Sequence, residues 1–73
     1  MDTDEFNGEM KWFAEFYDKT MKPIEMKIWF EMFQNLTVQK LHDALLNHIR
    51  HDDQPWFPAP GKITLQIPGW TFK

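Results

Sequence analysis

Between residues 55 and 60 the chain reads Pro55-Trp56-Phe57-Pro58-Ala59-Pro60. Three prolines in six positions remove backbone donors and push the preceding residues out of helical geometry. No regular helix crosses this stretch. It is extended, with Trp56 and Phe57 as its anchors, and the long helices of the fold must come before it.

Three stretches upstream carry helical periodicity. In the first, over about residues 4–20, Phe6, Met10, Phe13 and Tyr17 recur at spacings of four, three and four, which is one face of a helix. Asp2 and Glu5 have capping-box spacing, and acids crowd the first turns, where the helix dipole favours them. Trp12 and Phe16 add a second apolar pair and widen that face. The second helix, 23–34, opens on Pro23, whose missing N–H is not needed at the first helical position. Met21 and Met26 have the spacing of a hydrophobic staple across its start. Ile28, Trp29, Met32 and Phe33 supply its buried stripe, Ile24 extends the stripe backward, and Phe30 points to a different side. Thr37 caps the third helix, 38–51, where Val38, Leu41, Leu45 and Ile49 line up with His42 and Leu46 on their flanks. After Pro60, Ile63, Leu65 and Ile67 alternate as in a strand, while Ile63 and Ile67 also suit one or two helical turns. The expected fold is all-α: a small three-helix bundle with a Pro/aromatic extended segment and a short C-terminal helical turn or strand. Residues 1–63 form the helical domain and 64–73 an aromatic tail.

The core of such a domain is thin. A chain of 73 residues makes one domain at most and buries only about 60% of the surface its unfolded form exposes. No cysteine is present to staple it or to offer a thiolate. The start is acidic and no stretch is apolar enough for a secretory signal or a membrane span, so the chain is expected to be soluble and cytoplasmic.

Chemistry-bearing groups are sparse. There is no serine and no cysteine, so the two commonest nucleophiles are missing. His48, His51 and Asp52 cluster at the end of the third helix. Histidines there are better explained by the negative end of the helix dipole than by a metal. Glu5 with Glu9, and Glu25 with Glu31, read as solvated helix faces rather than acid–base pairs. Gly61-Lys62 lacks the context of a phosphate loop. The expectation is a non-enzyme with no cofactor and no metal. Eight basic residues against 11 acids, with a net charge of −3 and one arginine, argue against a phosphate-backbone binder. Lys19 and Lys22, with Lys27, are the one basic cluster.

The aromatic load is the remaining signal. Seven Phe, four Trp and one Tyr exceed the roughly seven or eight large rings that a core of this size can absorb. Some of Trp12, Phe30, Trp56, Phe57, Trp70 and Phe72 are left to the surface, where such side chains anchor protein interfaces. The competing expectation is that the Pro-rich segment and the tail fold back and cap the core.

Several stretches together resemble a known group. They are Pro23-Ile24-Glu25-Met26-Lys27-Ile28-Trp29-Phe30, Leu36-Thr37-Val38-Gln39-Lys40-Leu41, Ala44-Leu45-Leu46-Asn47-His48-Ile49 and Trp56-Phe57-Pro58-Ala59-Pro60-Gly61-Lys62-Ile63. Over about residues 10–63 this order is similar to the N-terminal helical domain of phage replicative-helicase loader and inhibitor proteins, of the Bacillus-phage and lambdoid replication protein P type. The stretch from Trp56 to Ile63 is the most specific part. The resemblance implies a helical domain with Trp29 at the centre of its packing and Trp56-Phe57 locking the third helix. It also implies a phage or prophage protein acting on DNA replication, with a replicative helicase, its loader or another host replication protein as partner. In those families a longer region after the domain engages the helicase. Here residues 61–73 stand in that place, so the implied action is that of a loader fragment or of an inhibitor that works by occlusion.

The expected contact residues are Trp56, Phe57, Trp70 and Phe72, with Lys19 and Lys22 as electrostatic guides. The alternatives are a nucleic-acid-binding regulatory module and a phage inhibitor of some other host factor. A homodimer is compatible with exposed aromatics on so small a domain.

Overall fold

A computed structural model describes residues 1–67 and Gly69. The architecture is all-helical: α1 (Thr3–Phe16), α2 (Pro23–Phe33) and α3 (Val38–His51) pack against one another, and a short α4 (Pro60–Thr64) follows the proline segment. Among the described residues there is no strand. The alternation after Pro60 therefore resolves as helical turns, with Ile63 fully buried and Ile67 packed on the core.

Each helix starts where a side chain or a proline serves the free N–H groups. At α1 the capping box is complete: Glu5 N–H donates to Asp2 Oδ1 at 2.8 Å, and Asp2 N–H donates to Glu5 Oε1 at 3.1 Å. At α2, Pro23 occupies the first turn and the Lys22 N–H donates to Glu25 Oε1 at 3.0 Å. At α3 the Lys40 N–H donates to Thr37 Oγ1 at 3.2 Å.

The first helix stops four residues short of its expected end at 20. Asp18 adopts φ +53°, a left-handed conformation that L-residues rarely take. Around it the Lys19 N–H donates to the Ala14 carbonyl at 2.9 Å and the Asp18 N–H to the Glu15 carbonyl at 3.1 Å. Those two bonds are a Schellman motif, which satisfies the last carbonyls and turns the chain toward α2. Glycine normally sits at that position. With aspartate there instead, the stripe running through Tyr17 gives no sign of a stop.

Among the described residues, nine buried apolar side chains form one core cluster: Phe6, Met10 and Phe13 from α1, Trp29 and Phe33 from α2, Leu41, Ala44 and Leu45 from α3, and Ile63 from α4. Rings meet edge to face, with Phe6 against Phe30 at 5.2 Å and Trp29 against Phe33 at 5.7 Å, tilted. Ile24 and Ile28 do not belong to this stripe. They are 60% and 47% exposed and lie one turn apart on the outer side of α2. Helix α2 is apolar nearly all round, so periodicity alone does not say which side faces inward. Phe30 is half-buried against Phe6 rather than turned to solvent.

A polar pin joins α1 to α3. Glu9 Oε1 accepts from Trp12 Nε1 at 3.1 Å and from His42 Nδ1 at 2.7 Å. A carboxylate only accepts, so His42 carries its proton on Nδ1 there. The Trp12 and His42 rings lie 5.4 Å apart. Glu9 is thus a bridging acceptor in the α1–α3 seam, not part of a solvated acidic face.

Candidate partner-binding face

The face forms where α1 ends and the proline segment passes over it. Phe16 closes α1, and its ring meets Tyr17 edge to face at 5.0 Å. Tyr17 in turn meets Phe57 at 5.9 Å, nearly perpendicular. Phe57 reaches below them and touches Phe13 and Trp29, each at 5.5 Å. The neighbouring Trp56 takes the other outcome and stays 63% exposed, while Phe16 is 61% exposed. The chain bends at Pro55 and Trp56, and the division falls there: Phe57 is packed on the core rings and Trp56 is not. One aromatic in the pair locks the core and the other is left at the surface. Pro58, also buried, braces the same stretch.

The proline segment is held from both ends. Before it, the Gln54 N–H donates to Asp52 Oδ1 at 2.9 Å, a local turn that ends α3. After it, the Lys62 N–H donates to the Ala59 carbonyl at 3.0 Å and begins α4. Beneath lies His48, 3% exposed, with its ring 6.3 Å from Phe13 and its Nε2 3.5 Å from Asp52 Oδ2. Burial holds the His48 pKa below its ordinary value. The Asp52 charge opposes that shift and Lys62 adds to it. His48 is therefore a neutral core residue rather than a cation complementing the end of α3. Among the described residues, no group of three His, Cys, Asp or Glu side chains could hold a metal ion.

Two carboxylates border the rings. Asp18 follows Tyr17 directly and is exposed. Asp52 lies near enough to act on the Tyr17 phenol, whose pKa is raised, first by burial and then by the Asp52 charge. Lys19 spans the seam: its Nζ is 3.3 Å from Glu25 Oε2 and 5.9 Å from the centre of the Phe57 ring. The Glu25 carboxyl is held below its ordinary pKa, chiefly by the Lys22 N–H and further by Lys19.

Of the expected contact residues, Trp56 is open to solvent, Phe57 is half-buried, Lys19 is tied to Glu25 and Phe57, and Lys22 is exposed at the start of α2. Trp70 and Phe72 lie outside the described residues. The spacing puts Phe16 and Tyr17 on helix faces of α1; Phe16 keeps its place in the last turn, and Tyr17, one residue past the helix, meets Phe57. Compared with protein-family models, curated proteins and solved structures, the chain matches none.

Proposed function

We propose that this chain is a non-enzymatic protein-binding domain of phage or prophage origin that acts on the DNA-replication machinery of a bacterial host. It occludes a surface of a replicative helicase or of its loader, and it does so without a cofactor. The observation that carries the binding reading is the pair of rings at Phe16 and Trp56. Both are more than 60% exposed, Phe16 against Tyr17 and Trp56 next to Phe57 in the chain, although the core beneath is complete. Large aromatics that a fold does not need for itself are the usual anchors of an interface. The helicase as partner rests on the resemblance carried by residues 10–63, above all Trp56 to Ile63.

The test mixes the purified chain with a hexameric bacterial replicative helicase and follows complex mass by size exclusion with light scattering. A complex that forms at micromolar concentration and is lost in Trp56→Ala or Phe16→Ala supports the proposal. A parallel arm with Trp70→Ala and Phe72→Ala asks whether the tail contributes. No complex with the helicase or its loader sinks the replication assignment. A complex that survives every aromatic substitution sinks the assignment of the face.

A further inference from the structure

Helix α2 is apolar on more sides than the fold covers. Trp29 and Phe33 are buried in the core, and Met26, Phe30 and Met32 are half-buried against it. Ile24 and Ile28 remain on the outer side, where nothing among the described residues covers them. A helix with apolar side chains nearly all round belongs in an interior. Two charges run along one flank of that outer row. By helix periodicity Lys27 and Glu31 lie on the same side of the Ile24–Ile28 line, one turn apart, and both are exposed. Among the described residues neither is in an ion pair, with the other or with a third group. A lysine four positions before a glutamate is the weaker order for a pair within one helix.

Across two helices the same spacing is self-complementary. In an antiparallel pair with its two-fold axis level with Trp29, Lys27 of each copy falls opposite Glu31 of the other. The two-fold keeps the charged flank on the same side of both helices, and Ile28 of each copy meets beside the axis. The other charges on or next to α2 do not oppose this. Glu25 is on the opposite flank and tied to Lys19, while Lys22 and the Met1 ammonium lie at the two ends of the helix, outside the row.

We infer that the outer side of α2 is a self-association face: a second copy of this chain covers Ile24 and Ile28 in an antiparallel contact closed by reciprocal Lys27–Glu31 pairs. None of these residues belongs to the aromatic face of Phe16 and Trp56, so the inference does not rest on that reading. The same patch serves both copies, and the assembly therefore closes at two. A face 11 residues long falls short of the roughly 800 Å² per partner of a tight complex. The dimer is accordingly expected to be weak, with a dissociation constant of about 100 µM.

Sedimentation equilibrium of the full chain, from about 10 µM to about 1 mM, tests it. The mean mass is expected to rise from 8.9 kDa toward twice that value over this range. Ile24→Gln combined with Ile28→Gln changes two exposed positions to a good helix former, so the circular dichroism spectrum should not change. That variant is expected to associate about tenfold more weakly. Lys27→Glu and Glu31→Lys are each expected to weaken self-association. An equimolar mixture of the two is expected to recover it, because opposite charges then face each other at both crossings. A chain that stays at 8.9 kDa throughout overturns the inference. So does a dimer that ignores the isoleucine pair, or one that Trp56→Ala abolishes instead. A dimer lost with the isoleucines but not recovered in the mixture overturns the antiparallel pairing, and the inference with it.

Discussion

The left-handed residue at the end of α1 gives the sharpest stability prediction. Asp18 holds φ +53° in a Schellman turn that glycine would fill without strain. An L-residue in this conformation costs about 1–2 kcal/mol, and aspartate sits at the low end because its short side chain tolerates the region. Asp18→Gly removes about 1 kcal/mol of that strain. It also removes an exposed anion from the negative end of α1, a gain of about 0.3 kcal/mol at low salt. Against both stands the greater freedom of glycine in the unfolded chain, about 0.7 kcal/mol. The net is a gain of about 0.5 kcal/mol, which for a chain of this size raises Tm by about 2–4 °C. Asp18→Ala keeps the strain and loses the aspartate's tolerance, so it is expected to melt below the wild type. Thermal unfolding followed by circular dichroism at 222 nm, in low and in 0.5 M salt, separates the contributions. If Asp18→Ala melts at or above the wild type, or if Asp18→Gly does no better than Asp18→Ala, the strain argument is wrong.

Three further outcomes are expected. Phe57→Ala, which empties the space against Phe13, Tyr17 and Trp29, is expected to cost about 2–3 kcal/mol, while Trp56→Ala stays within about 0.5 kcal/mol; equal urea midpoints for the two variants would contradict the division of labour between these rings. Glu9→Ala leaves Trp12 Nε1 and His42 Nδ1 without their acceptor and is expected to cost about 1–3 kcal/mol. A double-mutant cycle with His42→Ala that shows no coupling would remove the pin. Finally, the depressed pKa of His48 means the folded state prefers the neutral ring, so its contribution is complete above the unfolded value of about 6.5 and is lost as pH falls below it, by at most about 1.4 kcal/mol per pH unit. His48→Met should flatten the urea-midpoint profile between pH 6.5 and 4.5, and an unchanged slope would show that another group titrates there.

Much of the helical frame was legible from residues alone. The capping box at Asp2 and Glu5, the proline start of α2 and the Thr37 cap of α3 all stand where their local chemistry put them, because capping depends on neighbours within three or four positions. The failures are an αL turn built on a residue other than glycine and cases where a distant neighbour decides. Nothing local marks Asp18 as left-handed. Nothing in the run of apolar residues on α2 tells Ile24 and Ile28 from Trp29. Glu9 looked solvated until His42, 33 residues away, came to meet it. The binding face was half legible. The proline segment announced two aromatic anchors, but only its path over Phe13 and Trp29 decides that Phe57 goes in and Trp56 stays out.

The shared acceptor at Glu9 has a consequence for how this domain can drift. Apolar contacts are forgiving, and a core tolerates many exchanges that keep its volume. An oxygen that Trp12 holds in place on α1 and that His42 meets from α3 is not forgiving, because a shift of α1 along α3 pulls the carboxylate off His42 and leaves a part-buried polar contact unmade. The pin indexes the helix pair, leaving the surrounding hydrophobes free to turn over. In a randomised library selected only for folding, positions 9 and 42 should therefore be exchanged together or not at all, while Phe6, Met10 and Leu45 wander independently among apolar residues.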